Sequence, residues 1–80
     1  MDVRGYVRRV HMDDTSCLIL LNNENGELHK PTYRLAPDHK NFNPIYSLLL
    51  TALANECIID LGVKLDGETH EVAYAFIDKG

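Results

Sequence analysis

The sequence is poor in cysteine, in proline and in long apolar runs, and each shortage removes a class of protein. The two cysteines, Cys17 and Cys57, stand far apart without the close pairing of a zinc site or a redox CxxC. Free buried thiols are the simplest reading, with a disulfide between them as the alternative. No apolar stretch approaches the roughly 20 residues needed to cross a bilayer, so no membrane insertion is expected. The 5 glycines fall singly, which excludes a GxGxxG turn or a Walker-type phosphate loop. Basic residues are scarce in the second half, where only Lys64 and Lys79 oppose six acids. No low-complexity segment, repeat or Pro/Gly/Ser linker divides the chain.

What is present fits one small folded domain. At 80 residues with 45% hydrophobic and 25% charged side chains, a single core forms but covers only part of the apolar surface. The formal charge of −4 disfavours general nucleic-acid binding, which needs a surplus of Lys and Arg. The start, Met1-Asp2-Val3-Arg4, has no basic segment leading into an apolar core. A cytoplasmic location is therefore expected for the chain as it stands, or a secreted one if it is a trimmed mature form.

Periodicity predicts five strands and one helix. Residues Val3 to Met12 alternate, with Val3, Gly5 and Val7 on one face and Arg4, Tyr6 and Arg8 on the other. After Asp13-Asp14, the apolar run Thr15 to Leu21 reads as a strand covered on both faces. The turn residues 22–27 lead to a third strand, Leu28 to Leu35, where Pro31 removes a ladder donor and implies an edge position. Asn43 as N-cap and Pro44 at the first position open a helix over Ile45 to Ala54, with Asn55 as its left-handed stop. Cys57 to Leu65 is the fourth strand, with Cys57, Ile59, Leu61, Val63 and Leu65 inward. Asp66-Gly67 signals a hairpin. Glu71 to Asp78 closes the chain, Val72, Tyr74 and Phe76 on one face and Ala73, Ala75 and Ile77 on the other.

Three strands, a helix and two strands form the chain order of an OB-fold, a five-stranded barrel with one helix. An open sheet crossed by a helix shares the pattern, and the doubly covered second strand favours closure. The expected class is mostly β with one α-helix, in the order β-β-β-α-β-β over residues 1–80 as a single domain.

The segment Asn-Pro-Ile-Tyr-Ser-Leu-Leu-Leu-Thr-Ala-Leu-Ala-Asn followed by Cys-Ile-Ile-Asp-Leu-Gly-Val-Lys, with Gly-Tyr-Val-Arg-Arg-Val as a first strand, resembles a family of small bacterial OB-fold proteins. These include the receptor-binding subunits of subtilase-cytotoxin and pertussis-like toxins. The resemblance spans about residues 3 to 78 and is a pattern of apolar positions. It implies a ring-shaped homo-oligomer, a pentamer, that binds glycans; no sugar-contacting residue transfers by position.

Candidate sites are few. The helix carries a core stripe of Ile45, Leu48, Leu49 and Ala52 and a second stripe of Tyr46, Leu50 and Leu53, wider than a lone surface helix needs. The second stripe is the candidate oligomer interface. Arg4, Tyr6 and Arg8, with Arg34 from the third strand, form a basic-aromatic-basic face suited to a small anion, an acidic sugar or an acidic protein. A solvated strand face is the plainer explanation of the same residues.

No catalytic set is expected. Ser16, Ser47, Cys17 and Cys57 lie in segments expected to be buried, and the acids Asp13, Asp14, Glu68 and Glu71 lie in or beside turns. His11, His29, His39 and His70 lack metal-ligand spacing, so no metal or cofactor is expected. The leading expectation is a non-enzymatic binding module that assembles with itself. The alternative is a small acidic inhibitor or adaptor of phage or accessory type, docking through Asp60, Glu68 and Glu71. Single-stranded nucleic-acid binding through the arginine face ranks last.

Overall fold

The computed structural model describes residues 1–77. In chain order the elements are β1 (Asp2–Met12), β2 (Cys17–Asn22), β3 (Tyr33–Leu35), α1 (Phe42–Asn55), β4 (Ile58–Asp66) and β5 (Thr69–Ile77). The strands form a five-stranded sheet closed into a ring, with lateral order β1-β2-β3-β5-β4 and β4 pairing back onto β1. This lateral order departs from the chain order, because β5 inserts between β3 and β4. It pairs parallel with β3 at Tyr33↔His70 and Arg34↔Glu71, while all other ladders are antiparallel.

The core lies inside the ring. Cys17, Ile19 and Leu21 from β2, Tyr33 and Leu35 from β3, and Ile59 and Leu61 from β4 are all essentially inaccessible. Helix α1 seats Ile45, Leu49 and Ala52 against them. Each buried Leu and Ile among them contributes about 1.5–3 kcal/mol by leaving water. Strand β2 is buried on one face only: Leu18 and Leu20 on the other face stay half-exposed, so the doubly covered strand of the sequence reading is half right.

Two β-bulges re-aim side chains that strict alternation places elsewhere. In β1, Val7 pairs with Leu21 but Arg9 pairs with Leu20, leaving Arg8 as the extra residue. A bulge opposes two residues to one and switches the faces beyond it. Val10 therefore sits opposite core residue Ile19, and Arg9, which alternation would turn inward, is exposed. In β5, Val72 pairs with Val63 and Tyr74 with Gly62, so Ala73 is the extra residue. Val72 is buried whereas Tyr74 and Phe76 face outward, which corrects their assignment to one common face.

Other boundaries move for local reasons. The third strand is only Tyr33–Leu35; Leu28 makes an isolated bridge to Asn22, and Pro31 lies before the strand rather than in it. β3 is paired on both sides, so it is no edge.

The helix starts two residues earlier than the Pro44 signal implies. Its first α-type bond runs from the Ile45 N–H to the Asn41 carbonyl at 3.1 Å, and Pro44, lacking an N–H, is tolerated within the first turn, where donors are unpaired anyway. Asn41 stands at the cap without a side-chain bond. At the other end Asn55 stays helical, donating from Nδ2 to the Thr51 carbonyl at 2.9 Å, and Glu56 takes the left-handed conformation at φ 53°. Cys57 precedes β4, and Leu65 is 58% exposed at the hairpin end. The Asp66-Gly67 hairpin forms as expected, with Gly67 at φ 65°. Asp78 lies outside the described residues. Among the described residues no helix is long and apolar enough to cross a membrane.

Candidate functional site

The basic face predicted on the first strand is divided by the fold. Arg4 donates from Nε to Glu24 and from Nη1 to Asp60, both at 3.0 Å. Arg34 donates from Nη1 to Glu71 at 2.7 Å. These two guanidiniums are held by the protein's own carboxylates. Nor is β3 the lateral neighbour of β1: β2 lies between them, and the ladder sets Arg34 level with Leu18 and His11, away from Arg4. The four residues do not form one patch.

Arg8 behaves differently. It is exposed beside exposed Arg9, and neither has an ion pair or side-chain hydrogen bond among the described residues. Tyr6, two residues earlier, is half-buried at the mouth of a cleft of about 580 Å³ shared with Asn22, Glu24 and Glu56. Sequence reasoning passed over Arg9 because the bulge that turns it outward leaves no mark in the alternation.

The helix stripe Tyr46, Leu50, Leu53 borders the core stripe and stays accessible. Tyr46 stacks on Phe42 with ring centroids 5.7 Å apart, Leu50 is 41% exposed and Leu53 37%. None of the residues from Phe42 to Asn55 is charged. Ser47, expected to be buried, is exposed on this helix, whereas Ser16 and Cys17 are buried and Cys57 is half-buried.

A second apolar surface was not anticipated. Tyr74 and Phe76 stack with an interplanar angle of 8° on the outside of β5, each about half exposed. The signal that could have found it is Gly62, a glycine inside a strand, which marks a close approach by a neighbour. A further cleft of about 730 Å³ opens between the β4–β5 hairpin and the loop after β3, lined by Arg34, Asp38, His39, Lys64 and Glu71 among others. Its charges are mixed. His39 fixes the loop, with Nε2 donating to the Ala73 carbonyl and Nδ1 accepting from the Asn41 N–H, each at 2.9 Å.

Asp13, His29 and His70 make local contacts within the fold. Asp13 Oδ1 accepts from the Thr15 and Ser16 amides at 2.8 Å, which holds its carboxyl below the ordinary aspartate value and organises the β1–β2 turn. His29 Nδ1 meets the Tyr33 hydroxyl at 3.1 Å, and His70 packs edge-on against the same ring. Burial pushes the Tyr33 phenol up. These contacts gather two half-buried imidazoles around the buried Tyr33 ring.

No family model matches the chain, and no curated protein or solved structure matches it.

Proposed function

We propose that this chain is a non-enzymatic binding domain of the OB-fold type that assembles with copies of itself into a ring through the exposed face of α1. The fold reading is supported by the closed five-strand ring with its single helix between β3 and β4. The observation that carries the assembly is the helix itself. Its solvent side presents Leu50 and Leu53 with Ser47, Thr51 and Ala54 and no charge at all, the composition of an interface core rather than of an exposed surface. In a protein of net charge −4, copies repel at long range, and an uncharged face is where they meet without desolvating carboxylates. A ring multiplies one weak ligand site by avidity, in line with the glycan-binding pentamers that the sequence resembles.

Light scattering behind a sizing column, on wild type and Leu50→Glu, tests the reading. A closed oligomer that the substitution reduces to monomer is expected. A wild-type monomer at tens of micromolar overturns it.

The Tyr74–Phe76 wall favours a second reading, an adaptor or inhibitor that docks on a larger protein. It lies on the opposite side of the helix from Leu50: Tyr74 borders Pro44 and Leu48, and Leu48 and Leu50 point about 200° apart. The acidic version of that reading is weaker. Asp60 is spent on Arg4 and Glu71 on Arg34, leaving Glu68 of the three carboxylates considered.

A further inference from the structure

We infer that Arg8 and Arg9, doubled on the outer surface by the β1 bulge, bind a compact phosphate dianion, free or as the head of a monoester. The inference stands independently of the assembly proposed above. An ordinary strand would send one of two adjacent arginines outward and the other inward. Here the ladder steps from Val7↔Leu21 to Arg9↔Leu20, and both guanidiniums stand in solvent. Bulges gather at sites where a side chain must be re-aimed.

Two cations side by side repel, and proteins relieve this by placing an acid between them. This chain has 12 acidic residues and spends carboxylates on Arg4 and Arg34, yet among the described residues neither Arg8 nor Arg9 has one. Across the ladder lie Leu20 and Leu21. On the other edge the pairing with β4 ends at Tyr6↔Ile58. His11 continues the same outward line toward the β1–β2 turn, where it lies within electrostatic reach of Asp13. The pair is thus an uncompensated positive spot in an acidic protein.

Guanidinium forks match the oxygens of phosphate, and two forks suit a dianion. A long polyanion meets the net charge of −4 and is disfavoured, so the charge distribution selects a small ligand. Tyr6, two residues along and about 7 Å away on the same outward line, borders the cleft of about 580 Å³. It offers a flat surface to the organic part of an ester; the Glu24 and Glu56 carboxylates in the same cleft repel a second anionic group there, and with the buried Asn22 Oδ1, which has no donor, they accept from hydroxyls of that organic part.

The test follows arginine Nε–H and backbone amide signals in ¹H–¹⁵N spectra of the full chain during titration with inorganic phosphate and, separately, ribose 5-phosphate, with chloride balancing ionic strength. A saturable shift centred on Arg8 and Arg9 is expected. Arg8→Gln and Arg9→Gln should each weaken binding about tenfold, and Lys30→Gln should leave it unchanged. Tighter binding of the ester that falls to the level of inorganic phosphate in Tyr6→Leu identifies an organic monoester as the ligand. Equal affinity for the two identifies free phosphate, and the site stands. Shifts that grow linearly over all cationic side chains, insensitivity to both glutamine substitutions, or tighter binding of a short single-stranded oligonucleotide overturns the inference.

Discussion

The phenol of Tyr74 on β5 donates a hydrogen bond to the Asp2 carboxylate on β1, reaching over Gly62 on the strand between them. The ladder aligns Asp2, Gly62 and Tyr74 in one row, and the missing Cβ of Gly62 is the space the ring occupies: a Cβ there would lie 2.1 Å from the Tyr74 Cε2. An aromatic laid over a strand glycine repairs the gap in packing that the glycine leaves. It also holds the Tyr74–Phe76 wall in place from beneath.

Removing this arrangement has a readable cost. Gly62→Ala forces the ring outward and breaks its bond to Asp2, with an expected loss of about 1–2 kcal/mol in urea unfolding. The hydrogen bond to Asp2, with the nearby Asp2 and Asp60 charges, raises the Tyr74 phenol above its ordinary value. The neutral phenol is the form the fold favours, so this contribution is complete below the ordinary tyrosine range and lost as pH rises through the folded value. Absorbance titration at alkaline pH should show one late phenol fewer in Asp2→Asn.

Gly5 should prove less tolerant than Gly62. A Cβ at Gly5 would sit 2.1 Å from the Asn22 carbonyl oxygen, which is backbone, with His29 Nε2 at 3.5 Å. A side chain at Gly62 displaces an exposed ring; one at Gly5 must separate the chain segments of β1 and β2. Gly5→Ala is expected to cost about 3 kcal/mol, at the upper end for overpacking, comparable to the whole stability of so small a domain. Circular dichroism at ambient temperature with a urea series distinguishes the two variants, and equal losses would contradict this account.

Much of the fold was legible in the sequence because burial inside a closed ring imposes period two. Ile59, Leu61 and Val63 were read as inward and are buried, and the apolar alternation of Val3, Gly5 and Val7 was read correctly for β1 up to the bulge. What escaped were the two inserted residues, Arg8 and Ala73. A bulge is a property of the pair of strands, set by which residue opposes which, so one strand's pattern cannot reveal it. The candidate site suffered from the same blindness: Arg9 left no sign, the outward Tyr74 and Phe76 left only the strand glycine Gly62, and the pairing of Arg4 with Asp60 and Arg34 with Glu71 depends on long-range neighbours.

Asp13 is expected to titrate below the ordinary aspartate range, since the Thr15 amide, the Ser16 amide and the Thr15 hydroxyl all donate to its Oδ1. A depressed carboxyl contributes stability above its unfolded value and loses it as pH falls through the folded value. Carboxyl chemical shifts followed between neutral and strongly acidic pH should show Asp13 as a late-protonating group. Asp13→Asn keeps an acceptor for the turn, so it should flatten the acid limb of the stability profile while leaving the fold at neutral pH intact; an unchanged acid limb would place the depression elsewhere.

The two thiols should separate by accessibility. Cys17 is 0% exposed on the inner face of β2, and burial alone pushes its thiol above the ordinary value. A thiol must ionise to attack, so this residue is protected twice, by exclusion of the reagent and by a scarce thiolate. Cys57, half-buried between α1 and β4 with its Sγ 3.9 Å from the Asn55 carbonyl, is partly open to solvent. Timed alkylation with iodoacetamide at neutral pH and intact-mass detection should show one modification in the native protein, mapped to Cys57. The second should follow only with denaturant, at the rate of ring opening. Simultaneous loss of both thiols in native buffer would mean that β2 leaves the ring far more often than its paired, buried setting allows.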